Sequence, residues 1–435
     1  MLGYYVESAW HGTRRHPLMS VFMMLAVAIG ISAPFSAVAL VESLGGDPLP
    51  GYSTSVFHPQ IEPRPADIVA GDKAMPADLT LQDANALYRL SSAPPGAIMS
   101  MNRLPSKRGD DASPLRMTPT RATTWRFFEL FGLHFIVGRG WTEAEDQSRT
   151  PVVVLSRRAN DRMFGGENSV GREMQIATRS FRVIGVVDDW NPKPHFYDLG
   201  TGAFANAEDL YMPFATWLDL PQDYGFGPVK CWSSAGQTGE KPTAPNCTWV
   251  QYWVNLASAD AVARFSDTLR AYVRTQRDAG RFQLDVRPRV SNVRNWVAIN
   301  NVVPPAVRMQ AVIGTGIFVV CMMSAVGLLV AKFSRYGSEL AIRRALGATR
   351  HDIFMQCFLE AGIAGLAGGV LSLPLTWLGF RMIQKQTPSL VEGIHIDFAA
   401  LSQSVMVAIV VMFAVGLYPA VRSSRIAPAQ LIKTA

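Results

Sequence analysis

The sequence predicts an α+β membrane protein: four transmembrane helices with a large α+β domain inserted between the first and second. Three observations lead there. Four apolar segments each reach the roughly 20 residues a helix needs to cross the hydrocarbon core. The long stretch between the first two mixes strand-like and helical periodicity. Lysine and arginine gather beside particular segment ends, the asymmetry that sets orientation. Composition agrees, since charged residues are 17% of the chain against about 25% in soluble domains. The apolar share of 49% is only slightly high, so lipid-facing residues are a minority. The net charge of +7 has no basic block, zinc spacing or aromatic–basic motif behind it, which argues against nucleic acid as a partner.

In chain order, residues 1–17 form a cytoplasmic N-terminus carrying Arg14 and Arg15, and 18–41 the first span. That apolar run is too long for a signal-peptide core and is followed by Glu42 rather than a small-residue cleavage site, so an anchor is favoured over a cleaved signal. Pro34 is expected to kink it. Residues 42–306 lie outside, 307–333 form the second span, and 334–352 return to the cytoplasm. Lys332, Arg335, Arg343, Arg344 and Arg350 mark that side, as do Arg422, Arg425 and Lys433 of the tail, 420–435. The third span is 353–380 and the fourth 398–419. The short external loop between them, 381–397, has only Arg381 and Lys385, offset by Glu392 and Asp397.

Within the inserted domain, Pro151–Leu155 reads as a buried strand and Arg157–Phe164 as a helix stopped by Gly165-Gly166. Met174–Ile176 and Phe181–Val187 read as strands around a turn at Arg179, and Leu210–Pro213 as a strand end. Asp260–Gly280 is an amphipathic helix with Val262, Phe265, Leu269 and Val273 on one face. Phe282–Arg287 is expected to be a closing strand, and Pro48–Pro65 to be extended. Cys231 and Cys247 sit in a Gly-, Pro- and Ser-rich excursion, 222–247, where an oxidising compartment lets them pair; two free thiols are the alternative. Cys321 and Cys357 fall inside spans, where a thiol packs as a small apolar group.

Catalytic chemistry is missing from the pattern. No G-x-x-x-x-G-K-[ST] phosphate loop occurs, and the seven histidines show no metal-ligand spacing. Adjacent Asp188 and Asp189 follow a strand and read as a solvated turn rather than a carboxylate dyad. The informative run is Ser338–Ile353, dense in charge between two apolar segments. Glu339 and Arg343 stand at i and i+4, Gly347 can end a helix, and Thr349 with Asp352 can start the next through a capping box. In span three, Gly362, Gly365 and Gly369 offer a close-packing surface, for neighbours in the chain or for a second copy. Glu360 is ionisable within that span, a functional candidate for which snorkelling or pairing with Arg343 or Arg344 are the options.

Arg126–Leu133, Gly138-Arg-Gly140, Pro151–Ser156, Met163–Glu167, Val170-Gly-Arg172 and Phe181–Val187 follow one another in an order that resembles the periplasmic core domain of macrolide-exporter-type ABC permeases, the MacB/FtsX-like or type VII group. Glu339–Ala348 resembles that family's cytoplasmic signature, and Gly416–Arg422 its C-terminal one. Ala427 and Gln430 depart from the acidic residues the family often carries in its tail.

The resemblance implies a multi-pass permease subunit of the bacterial inner membrane with both termini cytoplasmic. It implies that the chain binds no cofactor itself, with ATP held and hydrolysed by a separate ABC ATPase subunit. Glu339, Ile342, Arg343, Arg344, Leu346, Gly347 and Arg350 would meet that subunit. Further implied partners are a second permease subunit and a periplasmic adaptor. The implied function is ATP-driven motion passed to the periplasmic domain for efflux of a small molecule or peptide. Lipoprotein release and FtsX-like mechanical signalling are the alternatives.

Overall fold

A computed structural model describes residues 17–90, 96–109, 114–221, 227–232, 243–302, 305–335, 342–386 and 398–424. Arg14, Arg15, Glu339, Glu392, Asp397, Arg425, Ala427, Gln430 and Lys433 lie outside the described residues, as do 222–226 and 233–242 of the excursion. The chain divides into two units, Gly45–Val302 and the pair of segments Met1–Leu44 and Val303–Ala435.

Among the described residues, the second of these units holds four helices long and apolar enough to span a membrane. They are α1 (Pro17–Gly45) and three more in the C-terminal part of the sequence, described below. Pro34 lies inside α1.

The inserted unit is built on β1 (Val56–Gln60), α2 (Leu81–Tyr88), β2 (Ala97–Arg108), β3 (Arg116–Thr123), β4 (Phe135–Gly138), β5 (Val152–Ser156), α3 (Arg157–Phe164), β6 (Glu173–Ile176), β7 (Arg179–Val187) and β8 (Leu210–Pro213). It continues with β9 (Lys230–Cys231), β10 (Cys247–Thr248), β11 (Gln251–Asn255), α4 (Ala259–Asp278), β12 (Arg289–Asn292) and α5 (Val293–Ile299). One mixed sheet runs β12-β1-β11-β2-β3-β8-β5-β7-β4, with β6 pairing to both β2 and β7. Its pairs are antiparallel except β3–β8 and β5–β7.

The unbroken apolar run in β5 explains why this sheet is covered on both faces. Successive side chains of a strand point to opposite faces. Val152 and Val154 enter a cluster with Phe127, Phe131, Tyr211 and Trp253. Val153 and Leu155 enter another, with Phe181, Leu210, Trp249 and Phe265. The helix α3 starts where the Ser156 side chain accepts from the Ala159 N–H and ends at Gly165, φ 68°. The α4 helix buries Phe265, Leu269 and Val273, with Val262 packed beside them.

Two expectations are corrected. Phe282–Arg287 is no strand: the N–H groups of Arg281 and Phe282 return to the Gln276 carbonyl, closing the end of α4, and Phe282 plugs the core. The closing strand is β12, antiparallel to β1 with Ser291 opposite His58. The Pro48–Pro65 segment is extended only in part. Tyr52 and Ser53 N–H bond the Leu49 carbonyl, and Asp47 accepts from Leu49 N–H and the Ser53 hydroxyl. That aspartate turn competes locally with an extended chain.

Between the sheet and the aromatic cluster lies a buried charge. The Arg121 guanidinium donates to Glu208, to Asp198 at 2.9 Å and to Gln251 at 3.3 Å, and the Tyr197 hydroxyl donates to Glu208 at 2.9 Å. Burial alone would lower the Arg121 pKa, but the Glu208 and Asp198 charges raise it beyond its ordinary value. His195 lies beside them, and burial with the Arg121 charge pushes its pKa down to about 3, so it is neutral. Breaking such a group strands two buried carboxylates. Arg121→Gln is therefore expected to destabilise the inserted domain by about 3–5 kcal/mol in urea unfolding followed by tryptophan fluorescence. A loss below about 1 kcal/mol, the range of an exposed pair, would contradict this account.

Candidate functional site

The three C-terminal helices are α6 (Pro305–Arg335), α7 (Arg350–Gln386) and α8 (Phe398–Ser424). Their apolar spans cover Pro305–Arg335, Arg350–Gly379 and Val405–Ser424, and α7 runs on to Gln386.

Between α6 and α7 the described chain makes one short helical turn, residues 342–345, and a sharp corner. The N–H of Ala348 bonds the Arg343 carbonyl at 3.0 Å, and that of Gly347 bonds the Arg344 carbonyl at 3.2 Å. These two bonds are the Schellman closure of a helix, which needs a left-handed residue. Gly347 supplies it at φ 109°. Thr349 then starts α7 through the box expected from the sequence. Asp352 N–H donates to Thr349 Oγ1 at 3.3 Å, while the Asp352 carboxylate accepts from Thr349 N–H at 2.8 Å. Stop and start are thus separated by a single residue, Ala348.

The side chains at this corner sort clearly. Ile342 and Leu346 are 60% and 83% exposed. Arg350 is exposed, while Arg343 and Arg344 are half-buried. Arg343 donates to Gln356 of α7 at 3.1 Å, which ties the turn to the helix that follows it.

Glu360 does not snorkel, and its ion-pair partner is neither Arg343 nor Arg344. It is 3% exposed, and its carboxylate lies 2.5 Å from the Lys332 ammonium of α6, itself 1% exposed. Lys332 also donates to the Ser20 hydroxyl of α1 at 3.1 Å. One buried polar group therefore joins three helices. Sequence reasoning counted Lys332 among the flanking cations that set orientation. The signal that it was internal is Phe333, which continues the apolar run past it and is itself buried.

The glycines of α7 pack within the chain. A Cβ at Gly362 would meet the Phe413 ring at 2.6 Å, one at Gly365 the Met412 Cβ at 2.5 Å, and one at Gly369 the Ala408 Cβ at 2.9 Å. Of the two uses the spacing allowed, the structure shows close approach of α7 to α8.

In the inserted unit, Cys231 and Cys247 are joined by a disulfide and sit opposite each other across β9 and β10. Asp188 and Asp189 follow β7 outside any regular element; Asp189 is exposed, and the half-buried Asp188 meets Arg157 at 2.8 Å. Among the described residues, no group of three or more His, Cys, Asp or Glu side chains is placed to hold a metal ion.

Residues 20–272 match the family model of the MacB-like periplasmic core domain. Residues 311–428 match that of the FtsX-like permease C-terminal region. The chain belongs to the MacB/FtsX-like ABC transporter permeases. Among its relatives is the macrolide export ATP-binding/permease protein MacB of Aggregatibacter actinomycetemcomitans, 23% identical over 83% of this chain and 50% of that protein. Another is the uncharacterized ABC transporter permease YvrN of Bacillus subtilis, 21% identical over 96% of each. The chain spans about half the length of the MacB proteins it matches. Among solved structures, the periplasmic region of MacB from Actinobacillus actinomycetemcomitans is 18% identical over 58% of this chain and 93% of that one, with a TM-score of 0.36.

In this permease, removing one member of the Lys332–Glu360 pair leaves a buried charge without its counterion. Lys332→Met and Glu360→Met are each expected to cost about 3–5 kcal/mol of stability in detergent, and Lys332→Met/Glu360→Met to recover most of that. Thermal unfolding of the three variants checks this; strictly additive losses would show that the two side chains do not interact.

Proposed function

We propose that this chain receives the motion of a separate ATPase subunit at the corner 342–352 and passes it through its spans to the MacB-like domain. The observation that carries the proposal is the pair of exposed apolar side chains, Ile342 and Leu346, on a corner capped at both ends. An exposed leucine on a rigid turn is a ready anchor for a protein partner, because its burial is favourable and little ordering is left to oppose it. The cations Arg343, Arg344 and Arg350 around it favour a cytoplasmic position and an acidic rim on the partner.

In this reading both termini are cytoplasmic and the membrane is the bacterial inner membrane. Two permease subunits act with two ATPases. ATP is bound by the ATPases, closing them moves the corner, and the output is efflux of a small molecule or peptide through a periplasmic adaptor and an outer-membrane channel. The MacB relatives, whose names join ATP binding and permease in one protein, support the pairing with an ATPase. Lipoprotein release and mechanical signalling would use the same corner, with a different output.

Affinity purification of tagged chain from native membranes, followed by mass spectrometry, tests the reading. An ABC ATPase is expected in the eluate, and Leu346→Asp is expected to reduce its recovery about tenfold or more, the effect of losing an interface anchor. Recovery of an adaptor as well supports efflux. An ATPase without an adaptor shifts the output to lipoprotein release or signalling. No ATPase, or equal recovery with Leu346→Asp, contradicts the assignment of the corner.

A further inference from the structure

His58 of β1 is 1% exposed, and both of its ring nitrogens face backbone carbonyls. Nδ1 lies 2.9 Å from the Tyr252 oxygen of β11, and Nε2 lies 2.7 Å from the Ala77 oxygen in the segment before α2. A carbonyl oxygen only accepts, and a neutral imidazole has one N–H to give. Its other nitrogen would turn a lone pair on a carbonyl oxygen at hydrogen-bond distance. The imidazolium, with two N–H groups, satisfies both contacts at once.

The surroundings favour and oppose that charge in separate ways. The Trp253 and Trp296 rings flank the imidazole at centroid distances of 4.8 and 4.2 Å, within the roughly 6 Å at which an aromatic face stabilises a cation. Burial works the other way and drives the pKa down to about 4, while the two carbonyls raise it. A ring left neutral by burial would have to move off one carbonyl, and both contacts are made. Among the described residues His58 has no ion-pair partner. Nearby charged groups are engaged elsewhere or exposed. Arg294 of α5 meets Asp47, Asp78 beside Ala77 accepts from Gln251 at 2.9 Å, and Glu62 and Asp72 hold Arg64. Arg289 of β12 and Lys73 are exposed, and burial holds the Tyr252 phenol above its ordinary pKa, so it stays neutral.

The ring fastens one segment to the sheet. Two residues along β1, the Gln60 amide donates to the Pro76 carbonyl at 3.0 Å. The Leu79 N–H bonds the Val250 carbonyl at 2.8 Å, and the Val250 N–H returns to Leu79 at 3.2 Å. His58 holds Ala77 between these two attachments. We propose that His58 is a proton-dependent tie, charged in this structure, whose deprotonation loosens the 76–79 segment and makes the inserted domain sensitive to the pH around it. The tie stands apart from the corner at 342–352 and from the ATPase assignment.

The direction of the effect follows from linkage. A free histidine loses its proton near pH 6.5, and the tied ring keeps it to higher pH. The stability that the tie contributes is therefore complete below about pH 6.5 and is lost as pH rises through the pKa of the tied ring. Over that interval each pH unit makes opening about tenfold easier, because opening releases one proton.

Hydrogen exchange of the full chain in nanodiscs, read by mass spectrometry between about pH 5 and 9 and corrected for intrinsic rates, tests this. Protection of the peptide containing Leu79 is expected to be constant in acid and to fall about tenfold per unit above about pH 6.5, then to level off. In His58→Gln, whose amide does not titrate, that dependence is expected to vanish. Three results would overturn the proposal. One is a flat profile in the native chain. Another is protection lost on acidification instead, the mark of a ring that is neutral in the fold. The third is the same alkaline loss in His58→Gln. Should that variant fail to fold, the native profile decides between the first two results and the expected one.

Discussion

In lipid, apolar surface gives helices no reason to associate, so close packing and polar contacts decide how they are arranged. The helical unit uses both, and the polar contact sets the terms. Lys332 and Glu360 lie on the two helices that flank the corner at 342–352, and each is buried. Separating them in hydrocarbon would expose two uncompensated charges, so α6 and α7 are held in register near the corner. Ser20 extends the constraint to α1. The glycine face of α7 then brings α8 close. From Ile342 to the start of α7, a Schellman turn and a capping box leave few soft torsions. Force applied at Leu346 is then expected to reach α7 directly, and α6 through its ion pair with α7.

The inserted domain solves a different problem. Its sheet has a core on each face, so strands such as β5 are apolar on both sides, and the polar groups that remain inside must be paired. Arg121, Glu208, Asp198 and Tyr197 form one such group. It links β3, the 3₁₀ turn at Phe196–Thr201 and the segment before β8. β3 is far from the other two in the chain, and the charge network fixes its place against them beyond what apolar packing specifies.

Much of this was legible in the sequence because it rests on local signals. The four spans follow from apolar length, α3 from its Ser156 and Gly165 boundaries, α4 from its apolar stripe, and the corner from Gly347, Thr349 and Asp352. The disulfide pairing of Cys231 with Cys247 was the favoured of two options, and the structure forms it. Non-local features were hidden. The long β2–β3 hairpin carries Pro105 and Pro119, residues that argue against a strand unless the missing N–H falls where no ladder bond is needed. The strand assigned to Phe282–Arg287 gave way to β12 because the closure of α4 took its first amide. Lys332 read as a flanking cation because nothing in its neighbourhood names Glu360, which stands across the corner on another helix.

The central claim is that the ion pair fixes α6 against α7 beside the corner. The direct measurement is a spin-label distance between Leu346→Cys at the corner and Val320→Cys on α6, in full chain in nanodiscs, with Cys321 and Cys357 replaced by serine. A single narrow distance distribution is expected, broadening when Lys332→Met/Glu360→Met is introduced. A distribution that is already broad with the pair intact, or one that stays equally narrow without it, would contradict the account.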